Sequence, residues 1–189
     1  MSDIKYIKLP LDDAAARDLR AGDVVRLSGK ILIARDAAHK RIAETITRGE
    51  KLPFSIDNQV IYYAGPAPTP KGAVIGAIGP TTSGRMDPYT PLLLENGLRA
   101  MIGKGKRSPE VLAAIKEHNA VYFGATGGTA VLLADAVKNA EDVAYADLGP
   151  EAVRLLTVEE MPLTVIADCH GGNIYESGPA EARKIMGSI

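Results

Sequence analysis

Two stretches of the sequence place an arginine where an apolar run gives way to a helix-like run. Arg35 lies in ARDAAHKR, residues 34–41, and Arg85 lies in GPTTSGRMDPYT, residues 79–90. A helix N-terminus presents free N–H groups and a partial positive charge, and a guanidinium adds a planar fork of five donors. Two arginines in such similar settings suit a ligand with an anion at each end, such as a dicarboxylate.

The hydroxyl-rich stretch before Arg85 supports two interpretations, and the stretch alone does not decide between them. Thr81, Thr82 and Ser83 can surround a carboxylate or phosphate while Arg85 holds it with two hydrogen bonds. They can equally close a tight turn, because Gly and Pro mark turns and hydroxyls satisfy stray backbone groups there.

The charged residues around Arg35 are also typical of an ordinary surface cluster. Lys40 and Arg41 follow on the helix predicted over residues 37–48, and His39 would then be incidental. For GKGKRS, residues 103–108, the alternative to a binding role is electrostatic capping of the preceding helix, since cations are favoured just past a helix C-terminus. That stretch does not satisfy the phosphate-binding pattern G-x-x-x-x-G-K-[ST].

One further stretch raises the possibility of a nucleotide site. FGATGGTA, residues 123–130, follows a predicted strand and opens a predicted helix, as a dinucleotide loop would. Its glycines, at positions 124, 127 and 128, do not match G-x-G-x-x-G. Close packing of the strand against the helix is the alternative role for these glycines.

Composition limits the classes of partner. The 189 residues are 46% hydrophobic and 24% charged, with a net charge of −1, which leaves no bulk electrostatic footprint for nucleic acid or an anionic membrane. Residues 1–9 are too polar for a signal peptide, and no apolar run approaches the roughly 20 residues of a membrane helix. We expect a cytoplasmic protein that binds neither nucleic acid nor membrane.

The sequence predicts no metal site within this chain. Cys169 is the sole cysteine, and one thiol can neither form a disulfide within the chain nor hold zinc or an iron–sulfur cluster alone. His39, His118 and His170 are scattered. Cys169 and His170 are neighbours that would point to opposite faces of a strand, so a β-turn is predicted there.

Strands and helices alternate through the second half of the sequence, whereas the first half is richer in strands. This order predicts a single domain over residues 1–189 of the α/β or layered β/β/α class with a mixed sheet. Strands are expected at 59–65, 72–78, 120–123, 143–146 and 163–167, with a strand pair over 23–34 turning near 28–29. Helices are expected at 12–19, 37–48 with Asp36 as N-cap, 91–102, 109–118, 129–138, 150–155 and 180–186.

Taken together, ARDAAHKR, GPTTSGRMDPY and KGKRS resemble the β component of the oxygen-sensitive iron–sulfur hydro-lyases, class I fumarase and L-tartrate dehydratase. The resemblance extends through LPFSIDNQVIYYAGP, FGATGGTAVLLA, YADLGPEAVR and VIADCHGGNIY, and so covers nearly the whole chain. It implies a swivelling β/β/α fold and the reversible addition of water to an activated carbon–carbon double bond, with fumarate and L-malate as the expected pair and tartrate as the alternative.

The resemblance also implies roles for individual residues. Arg35 and Arg85 match binders of the substrate carboxylates, Lys104 matches a further substrate-contacting cation, and Thr81 matches a threonine that takes part in proton transfer. Relatives often carry an uncharged residue at the second position of GKGKRS, so Lys106 is the alternative to Lys104.

Supporting residues and partners follow from the same resemblance. Asp36 and His39 are expected to orient Arg35, and Thr82 to support Thr81. The implied cofactor is a [4Fe-4S] cluster held by three cysteines of an α subunit, with one iron left open, so that this chain would bind dicarboxylate within a heteromer. A nucleotide-binding enzyme using FGATGGTA and a regulatory module that senses an organic acid are the alternative functions.

Overall fold

The computed structural model of the chain describes residues 3–126 and 128–186, and within these ranges it contains seven strands and six α-helices. The strands are β1 Lys5–Lys8, β2 Val24–Ile33, β3 Val60–Tyr62, β4 Ala100–Gly103, β5 Val121–Gly124, β6 Val137–Ala144 and β7 Val153–Ala167. The helices are α1 Asp13–Asp18, α2 Asp36–Thr47, α3 Thr90–Glu95, α4 Pro109–Glu117, α5 Ala130–Asp135 and α6 Ile174–Met186, with 3-10 helices at Ser83–Met86 and Ala146–Glu151. None of the described helices combines the length and the apolar character needed to cross a membrane.

Five of the strands close into a ring. Strands β2, β3, β4 and β5 pair in parallel in that order, and the long antiparallel strand β7 joins β5 back to β2. Strand β1 adds in parallel to β2, and β6 adds antiparallel to β7. The sheet is therefore mixed, which confirms the predicted layered α/β class.

Alternation of side chains along the ring strands produces two apolar cores. One face of the strands packs inward with α1 and α5, and its buried members include Leu27, Ile33, Tyr62, Ile102 and Phe123. The opposite face packs against α2, α3 and α4, and its buried members include Leu32, Ile61, Tyr63, Met101 and Tyr122. Because adjacent strand residues point to opposite faces, strands buried on both sides appear as continuous apolar runs.

Local capping explains where α1 and α4 begin, close to the positions expected from the sequence. The Asp12 carboxylate accepts a hydrogen bond from the Ala15 N–H at 2.8 Å and starts α1. The Ser108 hydroxyl accepts one from the Val111 N–H at 3.3 Å, and Pro109 occupies the first turn of α4. Both match the preference for Ser or Asp at N-caps, and α4 also matches the preference for Pro at the first helical position.

The strand predicted over residues 72–78 is wrong. This segment is an irregular loop whose apolar side chains Ile75 and Ile78 are buried in the inner core. The Tyr62 hydroxyl donates a hydrogen bond to the Ile78 carbonyl at 2.9 Å, which ties the loop to β3. Burial of individual side chains, rather than pairing in the sheet, accounts for the apolar run.

The helix predicted over residues 91–102 is also wrong in its second half. Helix α3 ends at Glu95, Gly97 adopts a φ of 97°, and residues 100–103 form the central parallel strand β4. A short run that is buried on both faces carries no periodicity that separates a strand from a helix.

Other boundaries also differ from the prediction. The pair expected over residues 23–34 is one ten-residue strand with a register shift between Leu27 and Gly29. The helix expected over 150–155 is replaced by a 3-10 helix that ends at Glu151 and by the start of β7. Helix α6 begins at Ile174, six residues before the expected position.

Ile102→Ala should destabilise the protein by about 2–5 kcal/mol, because its side chain is fully buried on the central strand of the ring and its loss leaves a cavity. Ile4→Ala is the matched control, since Ile4 is 44% exposed, and it should change stability by less than about 0.5 kcal/mol. Urea unfolding of both variants measures the difference. Equal losses in the two variants would contradict the assignment of the inner core.

Candidate functional site

The C-terminal ends of the parallel strands meet at one edge of the ring, and the predicted site residues follow these ends. Arg35 comes two residues after β2, and Lys104 comes directly after β4. Between them, the stretch that carries Thr81 is bound to the end of β3. Loops at the carboxyl ends of parallel strands are the usual place for binding sites in α/β folds.

Backbone hydrogen bonds fix the Thr81 segment between β3 and β4. The Thr81 N–H donates to the Tyr63 carbonyl at 2.8 Å, and the Lys104 N–H donates to the Thr81 carbonyl at 3.3 Å. The Ser83 N–H donates to the Lys104 carbonyl at 2.9 Å, and Thr82 forms a parallel bridge with Lys104. The segment thus extends the sheet locally, and it brings Thr81 beside Lys104.

Packing beneath the segment holds it in place. The Ser83 side chain is fully buried, and its hydroxyl contacts the Tyr122 hydroxyl at 2.9 Å. A Cβ at Gly103 would overlap the Ser83 hydroxyl, so this position requires glycine. Thr81 itself is only partly buried, and Thr82 is exposed.

Arg85 connects two of the predicted residues. Its Nε lies 3.0 Å from the Asp36 carboxylate, and its Nη2 donates a hydrogen bond to the Thr81 hydroxyl. The Arg85 side chain is 50% exposed, which leaves its outer face open to a ligand. The structure therefore pairs Asp36 with Arg85, whereas the sequence interpretation paired Asp36 with Arg35.

Arg35 is held by a residue that the sequence interpretation did not single out. Its Nη2 lies 2.9 Å from Oε1 of Glu151, and Oε2 of Glu151 accepts a hydrogen bond from the Ala37 N–H at 2.7 Å. The guanidinium lies over Gly65, where an added Cβ would approach Nη1 to 3.0 Å. Arg35 is also the N-cap of α2, without a side-chain cap, in place of the expected Asp36. Only the YADLGPEAVR stretch, which contains Glu151, hinted at this partner.

His39 is fully buried beneath Arg35. Its neutral ring donates from Nδ1 to the Arg35 backbone carbonyl at 3.0 Å, so it contacts the backbone and not the guanidinium. The edge of the ring packs against Tyr63 with 5.0 Å between the ring centroids. Burial lowers the pKa of His39 to about 4, and the nearby Arg107 acts in the same direction.

The two lysines of GKGKRS are both exposed. Across residues 3–126 and 128–186, neither ammonium group has a carboxylate within 4.0 Å. The backbone of Lys104 is bonded to Thr81 and Ser83, whereas the Lys106 backbone makes no such contact with the Thr81 segment. Contact of either lysine with a substrate stays a prediction. The position of Lys104 beside Thr81 favours Lys104 over Lys106 for this role.

Arg107, in the same stretch, has a structural role that the sequence did not reveal. Its side chain is fully buried, with Nε 2.7 Å from the Asp87 carboxylate and Nη2 donating to the Thr90 hydroxyl at 2.8 Å. The guanidinium also lies 5.3 Å from the ring centroid of Tyr63 and 5.0 Å from that of Tyr122. No pattern in GKGKRS distinguishes this buried cation from the two exposed ones.

The donor groups at this edge suit an anion and not a metal. Within the described part of the chain, no group of three His, Cys, Asp or Glu side chains is placed to hold a metal ion. Cys169 is buried and contacts the Ala16 carbonyl, and burial raises the pKa of its thiol.

The stretch FGATGGTA, considered above as a nucleotide loop, includes Gly127, which lies outside the described residues. The helix that follows this stretch spans Ala130–Asp135, shorter than the expected 129–138.

Comparison with known proteins identifies the family. Residues 3–178 match the family model described as Fumarase C-terminus, which covers most of the chain. The chain belongs to this family. The match confirms the resemblance that the arginine and threonine motifs suggested.

Individual relatives agree with this assignment. The chain is 42% identical over 179 residues to a putative L(+)-tartrate dehydratase subunit beta of Methanocaldococcus jannaschii, covering 92% of each protein. It is 40% identical over 173 residues to fumarate hydratase 2 of Leishmania major and 43% identical over 152 residues to the aerobic class I fumarate hydratase of Salmonella typhimurium. The matches cover 89% and 79% of this chain, but only 30% and 26% of those two relatives.

The buried His39 should make stability depend on pH. In the unfolded chain His39 binds a proton below about pH 6.5, but in the folded chain it stays neutral down to about pH 4. The unfolded state therefore binds more protons in this window, and the free energy of unfolding should fall as the pH is lowered, by about 2 kcal/mol from pH 7 to pH 5.

His39→Asn tests this assignment, because the Asn amide can still donate to the Arg35 carbonyl but does not titrate. The variant should be less stable at pH 7 and should lose most of the slope between pH 7 and pH 5. Urea unfolding at several pH values measures both quantities. The same slope in the variant and in the original chain would show that other groups cause the pH dependence.

Proposed function

We propose that this chain is the substrate-binding subunit of a two-chain hydro-lyase that reversibly adds water to fumarate to give L-malate in the cytoplasm. The observation that carries the proposal is the convergence of Arg35, Arg85, Thr81 and the Lys104 backbone at one edge of the ring. The names of the relatives support the reaction class, and the subunit name of the M. jannaschii relative supports a separate α partner.

Binding of the two carboxylates falls to the two arginines. Arg35 follows the end of β2 and Arg85 lies on the 3-10 helix Ser83–Met86, and each keeps guanidinium donors beyond the one that contacts its own carboxylate partner. A planar guanidinium can hold a carboxylate with two parallel hydrogen bonds, which fixes its orientation as well as its position. An extended dicarboxylate bound at both ends would have its central carbons near Thr81.

Proton transfer is proposed for Thr81. A hydroxyl can accept two hydrogen bonds and donate one, and Thr81 already accepts one from Arg85. Its own proton is therefore available to a substrate carbon in the hydration direction. A lone threonine is a weak base near neutral pH, and the neighbouring guanidinium favours the deprotonated form in the reverse direction. The cations at this edge would also stabilise the charge that develops when the carbon next to a carboxylate loses its proton.

The iron–sulfur cluster implied by the family is assigned to the α subunit. The described residues of this chain do not fit such a cluster, because its one cysteine is buried against the Ala16 carbonyl of α1 and the proposed site is lined by cations. When present, the open iron would supply a Lewis acid for the substrate. This chain's share of the work is to bind, orient and exchange a proton with the dicarboxylate.

L-Tartrate dehydration is the second candidate. The M. jannaschii relative that matches this chain along 92% of both lengths is a putative L(+)-tartrate dehydratase subunit beta. The fumarate hydratases, by contrast, are three to four times longer than their matched part. Assays of the same complex with fumarate and with L-tartrate decide between the substrates, since the preferred one should show the higher kcat/KM.

The proposal predicts that the purified chain alone is colourless and inactive on fumarate, and that activity appears after anaerobic co-expression with a cysteine-bearing α chain. The physical reason is that the described residues of this chain provide anion-binding groups but no set of side chains placed to hold a metal. Visible absorption, iron content and the malate–fumarate assay measure the difference. Full activity of the chain without any partner would contradict the two-chain proposal.

Arg85→Ala should lower kcat/KM of the complex by roughly 100- to 1,000-fold, the range for loss of one donor that stabilises developing negative charge. Lys40→Ala is the control, because Lys40 is an exposed cation on α2 whose nearest carboxylate, Glu44, lies 3.9 Å away. The control should keep full activity, and both variants should keep the melting temperature. Unchanged activity in Arg85→Ala would remove Arg85 from the proposed site.

A further inference from the structure

We propose that Glu151 is a positioning residue that holds the Arg35 guanidinium in the orientation needed to receive a substrate carboxylate. The effect of Glu151 on kinetics rests on the proposed function. The structural part of the inference, the control of Arg35 by Glu151, stands on contacts within the chain.

One carboxylate fixes both the side chain and the backbone of the Arg35 loop. Oε1 of Glu151 lies 2.9 Å from Nη2 of Arg35, while Oε2 accepts a hydrogen bond from the Ala37 N–H at 2.7 Å. The Ala37 N–H belongs to the first turn of α2, where backbone donors lack partners within the helix. Glu151 therefore locks the guanidinium relative to the start of the helix that carries it.

The segment that carries Glu151 is itself anchored on α2. Two oxygens of Asp147 accept hydrogen bonds from the two terminal nitrogens of Arg41, each at 2.8 Å. The Arg41 guanidinium also lies over the ring of Tyr145, 4.9 Å from its centroid. The 3-10 helix Ala146–Glu151 is thus bonded to α2 near both of its ends, which fixes the position of Glu151 relative to α2.

The remaining donors of Arg35 are left for a ligand. Glu151 contacts only Nη2, and Nη1 lies over Gly65, whose lack of a side chain admits the guanidinium. The Arg35 Nε is buried, and among the described residues it has no hydrogen-bond partner. Because Nε is buried, the donors that a ligand can reach are those on Nη1 and the second N–H of Nη2.

The pair is better shielded than the one that Arg85 makes. The side chains of Arg35 and Glu151 are 31% and 24% exposed, against 50% and 38% for Arg85 and Asp36. Partial burial raises the pKa of Glu151, but the Ala37 N–H and the Arg35 guanidinium outweigh it, and the net pKa lies below its ordinary value. The carboxylate is therefore charged at neutral pH and able to hold the guanidinium.

The kinetic test uses Glu151→Gln in the complex with the α chain. This variant keeps an oxygen for the Ala37 N–H but removes the charge that holds Arg35. We expect kcat/KM for fumarate to fall about 10- to 100-fold, the range for partners that orient the ligands of metal sites, and mainly through KM. Glu44→Gln, an exposed glutamate on α2, is the matched control and should leave both constants unchanged.

A double-mutant cycle separates positioning from a general structural effect. If Glu151 acts through Arg35, Glu151→Gln should change kcat/KM less than twofold in an Arg35→Ala background. An equal loss in both backgrounds would overturn the proposal, as would a loss in kcat alone. A lower KM in Glu151→Gln would also overturn it, because that result would show that Glu151 competes with the substrate for Arg35.

A measurement on the chain itself does not depend on activity. The Nε–H signal of Arg35 in ¹⁵N NMR, assigned by its loss in Arg35→Lys, should show restricted motion in the original chain and in Glu44→Gln. In Glu151→Gln it should become as mobile as the signals of exposed arginines. Restricted motion in Glu151→Gln would refute the positioning role. If the complex lacks hydro-lyase activity, the proposed function fails while this measurement still decides the role of Glu151.

Discussion

The site depends on the insertion of one loop segment between the ends of two parallel strands. Three backbone hydrogen bonds join the segment around Thr81 to Tyr63 and Lys104, with lengths of 2.8, 3.3 and 2.9 Å. The buried Ser83 hydroxyl fixes the segment from below, where only glycine fits at position 103. This insertion holds Thr81 and Arg85 beside Asp36, next to the strand end that carries Arg35.

Charge pairing then sets the direction of each cation around the segment. Glu151 pairs with one nitrogen of Arg35, and Asp36 pairs with one nitrogen of Arg85. Each guanidinium therefore keeps further donors that do not contact its carboxylate partner. Arg107 illustrates the opposite use of the same side chain, because it is buried with Asp87, Thr90 and two tyrosines and supports the loops from inside. Burial thus separates an arginine that can bind a ligand from one that supports the fold.

The sequence predicted the α/β class, the starts of α1 and α4 to within a residue, and the arginine and threonine motifs, because each has a local signature. It did not predict strand β4, whose short buried run lacks periodicity, or the loop at residues 72–78, whose apolar residues fill the core without joining the sheet. The pairing of Arg35 with Glu151 spans 116 positions of the chain, so no local pattern could show it. Similarly, the pairing of Asp36 with Arg85 depends on how two strand ends meet.

The central claim is that Arg35 and Arg85 bind the two carboxylates of one substrate molecule. An anaerobic crystal structure of the complex with L-malate tests it most directly. The account predicts one malate carboxylate within hydrogen-bond distance, about 2.7–3.2 Å, of each guanidinium, with the Thr81 hydroxyl beside the carbon that exchanges its proton. Malate bound with neither carboxylate at Arg35 or Arg85 would contradict the account.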